Sequence, residues 1–313
     1  MKSIVLIVPY IGKWPLWFEA HLVSIAQNPT IDWLFITDCK IPEKYPENVR
    51  FVPATLQSLN TKINEILELQ MPLSPRKLCD VRPAYGKIFQ DYIATYDFWG
   101  FCDVDIIWGA IRDFVSDDIL SNYDIISSRK EAISGHFTLF SNNAQLNEFY
   151  RTIPKYETIL QEKNYMWGEE QLLTNHVKAM QQSSDFPRVY WETYWVNNVN
   201  GKAHQEYYLD KWLWKGGTML KLKNGKPINE PMYLHFINWK RTMRTCEVEY
   251  SHTPSQFYIS FTGMHYSTHS DFAKALNKFK NLFNGYHIRE SRRIKKKKIK
   301  SIWKRMQRKL KRI

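Results

Sequence analysis

Two unbroken apolar runs near the N-terminus constrain this chain more than any other feature: Ser3-Ile-Val-Leu-Ile-Val8 and Asp32-Trp-Leu-Phe-Ile-Thr37. Continuous rather than alternating apolarity marks strands covered on both faces. Between them Pro9 to Gly12 breaks the chain, and Trp14 to Gln27 carries a helical pattern with Trp17, Ala20, His21 and Ser24 on a mixed face. Strand, helix and strand in that order predict a parallel sheet with a right-handed crossover. Val49 to Val52 supplies a shorter third strand. Ligands on such sheets collect beyond the carboxyl ends of the strands, where Pro9, Tyr10, Gly12 and Asp38 fall. Neither GxGxxG nor GxxxxGK[ST] occurs, which excludes the dinucleotide fingerprint and the P-loop.

The richest chemistry lies further on, in Trp99-Gly-Phe-Cys-Asp103-Val-Asp105-Ile-Ile-Trp108-Gly109. An apolar strand runs into two aspartates one residue apart. On an extended chain the Asp103 and Asp105 side chains share a side and Val104 faces away. Unneutralised carboxylates between apolar runs are costly. Two hard carboxylates there suit a divalent cation that keeps waters and takes phosphate oxygens. Solvated turn residues are the plain alternative.

Helices are expected over Asn60 to Leu69, Gly86 to Tyr96 and Asn143 to Arg151, with helix or loop over Ile111 to Leu120. Strands are expected at Tyr123 to Ser127 and His136 to Phe140, with Gly135 in the connection between them. The segment Arg76-Lys77-Leu-Cys-Asp80-Val-Arg82-Pro-Ala-Tyr85-Gly86-Lys87 mixes charge with small and aromatic residues. It reads either as phosphate-facing or as a salt-bridged surface turn. Tyr165-Met-Trp167-Gly168-Glu169-Glu170 opens a helix running to about Met180. The macrodipole alone explains acids in a first turn, while the Trp-Gly before them suggests a pocket. Trp191 to Val199 and Tyr207 to Trp214 are aromatic-rich. Pro231 to Lys240 reads as an apolar strand carrying His235, either a satisfied core histidine or a ligand. Residues 241–285 mix signals that place no element.

The 313 residues suffice for one large α/β domain or two small ones. The net charge of +13 is not spread evenly. Arg289 to Ile313 holds 14 basic residues and one acid, Glu290, while the rest of the chain holds 30 of each sign. Ile299, Ile302, Trp303, Met306, Leu310 and Ile313 fall on one helical stripe with Lys and Arg elsewhere. A basic amphipathic helix of this kind suits an anionic membrane surface. A nucleic-acid contact uses the same charges, but the body shows no nucleic-acid motif, and none is expected as partner. The division is therefore 1–285 as the main domain and 286–313 as a membrane-associating tail. Four cysteines without CxxC spacing, no evident signal peptide and no apolar span of about 20 residues predict a cytoplasmic protein, peripheral to the inner face of the cytoplasmic membrane.

Taken in order, these residues resemble a GT-A-type glycosyltransferase, and most nearly a little-described bacterial group associated with capsule or lipopolysaccharide sugars. The resemblance rests on the Val8 to Gly12 loop, Thr37-Asp38, the Lys77 to Gly86 segment, Asp103-Val-Asp105 as a DxD motif, Trp167 to Glu170, and the late His235 and Lys240. It spans about residues 3 to 240, though His235 lacks the Gly and Pro-Trp that follow the best-known late histidine. It implies a GT-A-like, Rossmann-like, mostly parallel sheet flanked by helices. It also implies transfer of a sugar from a nucleotide diphosphate, most simply UDP, to a hydroxyl of a growing glycan or lipid-linked glycan.

In that reading Asp103, Asp105 and His235 hold manganese or magnesium. Pro9, Tyr10, Asp38, Lys77, Asp80, Arg82, Asp103, Val104 and Lys240 meet the nucleotide sugar. Gly135, His136 and Trp167 line the sugar or acceptor pocket. Glu170 or Glu169 takes the acceptor proton in an inverting enzyme and positions the acceptor in a retaining one. A catalytically inactive binding protein on the same fold, and a nucleic-acid-binding protein acting through the tail, are the other readings.

Overall fold

A computed structural model describes residues 1–184, 186–191 and 207–310. Most of the aromatic stretch expected over 191–199, Ile313, and the side chains of Ile302, Met306 and Leu310 lie outside that description.

The chain is a mixed α/β protein with a large, mostly parallel sheet flanked by helices. The strands β1 (Ile4–Tyr10), β2 (Ile31–Thr37), β3 (Val49–Pro53) and β4 (Phe98–Cys102) are joined in parallel in the order β3-β2-β1-β4. A short β5 (Ile106–Trp108) follows β4 and leaves this sheet. Strands β6 (Ile125–Ser127), β7 (Phe137–Ser141) and β8 (Val189–Trp191) complete it beyond β4, with β7 antiparallel to both its neighbours. Separate apolar clusters cover the two faces, which is why β1, β2 and β4 read as unbroken runs. Pairing of β1 with β4 ends at Ile7, so the strand is one-sided before it reaches Pro9, where a proline is tolerated.

A second, six-stranded sheet contains β9 (Trp212–Lys215), β10 (Thr218–Lys223), β11 (Lys226–Asn229), β13 (Thr245–Cys246), β14 (Gln256–Ser260) and β15 (Gly263–His265). Between the sheets, β12 (Tyr233–His235) pairs antiparallel with β5, setting His235 opposite Ile106. A third cluster, with Trp17, Trp212, Trp214, Leu234 and Trp239, ties the second sheet to β5, β12 and the helix Phe18–Ala26. The Trp214 indole donates to the Trp108 carbonyl across this seam at 2.9 Å. Most of the described tryptophans are therefore core.

Several expected elements are shifted, shortened or broken. The first helix starts at Phe18, after Pro15, with Trp14 stacked on Phe18 at 3.8 Å between centroids. The helix expected over 60–69 spans Leu56–Leu67 and is capped by Thr55 and Ser58. The helix expected over 86–96 divides into Tyr85–Ile88 and Gln90–Ile93, because Phe89 leaves helical geometry to bury its ring against Tyr85. That over 143–151 becomes Ala144–Asn147 and a 3-10 turn. The strand expected over 231–240 is three residues long and ends in a turn at Trp239–Arg241. Residues 241–285, unplaced from sequence, hold β13 to β15 and the helix Asp271–Asn284; the helix Tyr286–Leu310 follows. No helix among the described residues is long and apolar enough to cross a membrane.

Candidate active site

The two aspartates do not sit on an extended strand. β4 ends at Cys102, β5 begins at Ile106, and residues 103–105 form the bend between them. The bend, rather than period-two alternation, brings both carboxylates to one corner. Its backbone is clamped at three successive carbonyls. The Trp17 indole donates to Val104 O at 3.0 Å, the Phe236 amide to Asp105 O at 3.1 Å, and the His21 Nδ1–H to Ile106 O at 2.7 Å. His21 is fully buried, and that burial lowers its pKa to about 4, so it is neutral and can serve only as a fixed donor here. Val104 packs into the core below.

Asp103, Asp105 and His235 each present a ligand atom within 4.8 Å of the others. His235 Nε2 stands 3.4 Å from Asp105 Oδ2 and 3.7 Å from Asp103 Oδ2. Lys240 Nζ lies 2.9 Å from Asp105 Oδ2, and Arg82 lies 2.7 Å from Asp103 Oδ1. Burial alone would raise the Asp105 carboxyl, but His235 and Lys240 hold it below the ordinary carboxylate range. The His136 ring lies against His235 at a tilt of 32° with centroids 4.4 Å apart and pairs through Nδ1 with the Tyr233 hydroxyl at 2.7 Å.

The acidic pair joins this corner through Gly135. Arg82 donates to the Gly135 carbonyl, and the Gly135 amide donates to Glu170 Oε1 at 3.0 Å. A Cβ at Gly135 would stand 2.9 Å from that same oxygen, so a larger residue there would push the Glu170 carboxylate aside. Glu170 also pairs with Arg129 at 3.3 Å. Glu169 is buried, accepts the Tyr165 hydroxyl at 2.6 Å, and has its pKa raised by burial to about 7. The two acids start a π-turn, Gly168–Leu172, ahead of the helix Leu173–Met180, rather than a regular first turn. Trp167 before them has φ 59° and remains 52% exposed.

Lys77 and Asp80 correct an expectation. Both are fully buried, paired at 2.9 Å, and spent on the protein. Lys77 donates to the carbonyls of Ile159 and Asn164, and the Asp80 carboxylate accepts from the Met166 and Gly168 amides at 2.9 and 2.8 Å. They clamp the loop that presents Trp167 and Glu169 and cannot reach a nucleotide. Asp38 is exposed and accepts the Gly12 amide at 2.7 Å, tying the loop after β1 to the end of β2. Tyr10 stacks on Trp14 in that loop at 5.2 Å, and Pro9 pairs within β1. Sequence reasoning placed Trp17 and His21 on a helix face without seeing their part in the bend. Their signal was a donor-bearing ring at i and i+4 beside an otherwise apolar surface.

The site's donor set, two carboxylates and one imidazole, fits a hard to borderline divalent cation. No curated protein matches the chain. Among solved structures, mouse xyloside xylosyltransferase 1 in its apo form is similar at 10% identity and a TM-score of 0.40, covering 74% of this chain and 97% of that one. The galactosyltransferase LgtC, in complex with donor and acceptor sugar analogs, is similar at 9% identity and a TM-score of 0.33, covering 55% of this chain and 70% of that one. Overlap at this level assigns neither fold nor activity. Residues 6–268 match a family described only as "Family of unknown function (DUF6625)", and the chain belongs to that family.

Proposed function

We propose that the protein is a metal-dependent glycosyltransferase of GT-A type. It moves a sugar from a nucleotide diphosphate, most simply a UDP-sugar, to a hydroxyl of a growing surface glycan of capsule or lipopolysaccharide type. The observation that carries this reading is the convergence of Asp103, Asp105 and His235 with Lys240 at one corner past the carboxyl end of β4. Sheets of this kind bind ligands beyond the carboxyl ends of their strands.

Charge accounting supports a cation there. Arg82, Lys240 and Arg129 face Asp103, Asp105 and Glu170, three positive groups against three negative. A departing diphosphate would leave this balance negative. Bound manganese or magnesium, held by Asp103, Asp105 and His235, would supply the missing positive charge as a Lewis acid and template. Lys240 and Arg82 lie where they can hydrogen-bond phosphate oxygens once the carboxylates are otherwise engaged. Pro9, Tyr10 and Asp38 border the nucleotide side. Gly135, His136 and Trp167 border the sugar and acceptor side. Glu169, with a pKa of about 7, is tuned to accept a hydroxyl proton at neutral pH. Glu170, held by the Gly135 amide and Arg129, orients the acceptor.

The Arg82–Asp103 and Lys240–Asp105 pairs also favour a second reading, in which these cations serve the diphosphate without a metal. A thermal-shift screen of UDP-sugars with manganese and with chelator separates the two. A shift that requires manganese and vanishes in Asp105→Asn supports the first reading. A shift indifferent to chelator supports the second, and no shift with any donor removes the transferase reading.

The tail belongs to the same proposal as a contact with anionic membrane. The helix Asp271–Asn284 buries no residue and exposes Phe272, Phe279, Leu282 and Phe283. Beyond it Lys295 to Lys298 and Trp303 are exposed. Apolar rings beside dense positive charge suit an interfacial helix. Removing 286–313 should abolish flotation with phosphatidylglycerol vesicles and preserve transfer in solution.

A further inference from the structure

Asp210, immediately ahead of β9, lies 55 residues from His265 at the end of β15 and 59 from His269 in the loop before the helix Asp271–Asn284. The three meet outside the candidate active site. His265 Nε2 and His269 Nδ1 are each 2.7 Å from the same oxygen, Asp210 Oδ1, and the two rings stand edge to face at 4.5 Å and 89°.

The carboxylate is oriented without them. Its other oxygen, Oδ2, accepts the His269 amide at 2.7 Å and lies 3.4 Å from Lys274. The Asp210 amide donates to Ser260 Oγ at 2.8 Å, and that hydroxyl donates back to Oδ1 at 3.2 Å. Asp210 is 8% exposed and holds φ 48°, a left-handed conformation that surrounding contacts must sustain. One imidazole would complete a hydrogen-bonded knot. Two at right angles, with nitrogens aimed at one carboxylate oxygen, make a three-atom face of two nitrogens and one oxygen.

We propose that Asp210, His265 and His269 form a second metal site, for a transition cation of zinc type, which pins β15 and the start of the helix Asp271–Asn284 to the segment entering β9. Two imidazoles and a carboxylate with a fourth position for water suit zinc or cobalt better than magnesium. Ligands of a tetrahedral ion at ~2.0 Å stand ~3.3 Å apart, so each nitrogen, now 2.7 Å from Asp210 Oδ1, needs to move away from that oxygen only by about half an ångström. Ligation requires each of these nitrogens to give up its proton, to the other ring nitrogen or to solvent. Lys274 faces the oxygen that the imidazoles do not use and offsets part of the carboxylate charge.

The test uses the full chain, stripped of metal and titrated with zinc or with cobalt as a coloured substitute. X-ray absorption at one equivalent of zinc counts imidazoles in the inner shell. Two that fall to one or none in His269→Gln support the Asp210 site, and a count unchanged in that variant overturns it, since His136 lies beside His235 at the Asp103 corner and a count alone does not separate the two places. Cobalt should give an intense visible band that persists in Asp105→Asn and is lost in His265→Ala and His269→Gln. Loss of zinc affinity in those variants should exceed the ~10–100-fold typical of outer partners. Zinc should also raise the melting temperature of the wild-type chain and not of His269→Gln. A cobalt band unchanged in both histidine variants, or no retention of micromolar zinc by the wild-type chain, overturns the proposal.

Discussion

The corner at Asp103 and the cluster at Asp210 are built from the same residue types and hold charge in opposite ways. At the corner, two carboxylates share one imidazole, and each meets a long cation, Arg82 or Lys240. At the cluster, one carboxylate serves two imidazoles. The corner is rich in hard oxygen and in charges that can exchange partners, which suits a ligand that arrives and leaves. The cluster is rich in nitrogen and joins two segments more than 50 residues apart, which suits a permanent clip. Asp80 marks the limit of the second tendency. It is fully buried, paired with Lys77, and has both oxygens engaged by backbone amides. Burial alone does not make a carboxylate reactive. What separates Asp105 from Asp80 is that its partners, His235 and the exposed Lys240, are side chains at an open bend, whereas Asp80 is closed in by a fully buried lysine and two loop amides.

The comparison breaks most sharply at Asp105. Asp105→Asn should lower sugar transfer by about 10³-fold or more, some 4 kcal/mol of transition-state stabilisation. Asp210→Asn should leave turnover in solution within about twofold. A radiolabelled-donor assay that found the two variants equally impaired would merge the two regions into one site.

The next effect concerns stability. Lys77→Met leaves Asp80 as a buried charge without its ion partner and should cost about 3–4 kcal/mol, read from urea midpoints. Pairing it with Asp80→Asn should restore part of that loss, because the remaining amide still meets the loop and no bare charge is left. If Lys77→Met were neutral in stability but weakened nucleotide binding, the loop clamp would have to be returned to the ligand.

Glu169 adds a pH axis. Its folded pKa of about 7 lies above the ordinary glutamate value of 4.5, and burial is the cause. Between those values the folded chain keeps a proton that the unfolded chain has released. Stability from this group is therefore present below about 4.5 and lost as pH rises through about 7. The loss is about 3 kcal/mol. Glu169→Gln should flatten the difference between urea midpoints at pH 5 and pH 8. It should also remove the rise in transfer rate through neutral pH. A variant with the wild-type pH profile for both would take Glu169 out of proton transfer.

Part of this is legible in the sequence alone. β1, β2 and β4 announce themselves because both faces are covered, so each is apolar along its length. Asp103 and Asp105 stand out for the same reason, as acids flanked by such runs. The bend at 103–105 was not readable, because nothing in Asp-Val-Asp distinguishes an extended pair from a turned one. Its geometry is imposed by Trp17, His21 and Phe236 from elsewhere in the chain. Lys77 and Asp80 misled because charge in sequence reads as exposure, while three residues of 3-10 geometry let the pair bury itself whole. The Asp210 cluster was invisible for a different reason. His265-Tyr-Ser-Thr-His269 is a visible spacing, but its third member lies across the second sheet, whose short half-buried strands leave little pattern.

The smallest expected effect tests the clamp itself. Trp17→Phe keeps an aromatic ring at a buried position and removes the donor to Val104 O, worth about 1 kcal/mol. If the bend is held by donors from outside it, that loss should appear less in global stability than in the precision of the corner. Manganese-dependent UDP affinity should fall about fivefold, the equivalent of about 1 kcal/mol. The cobalt band of the Asp210 cluster should not change, because no part of that cluster touches the Val104 carbonyl. A variant that lost stability and left UDP affinity intact would show that Trp17 serves the core alone. The bend would then owe its shape to the pairing of β5 with β12, which fixes Ile106 against His235 from the other side.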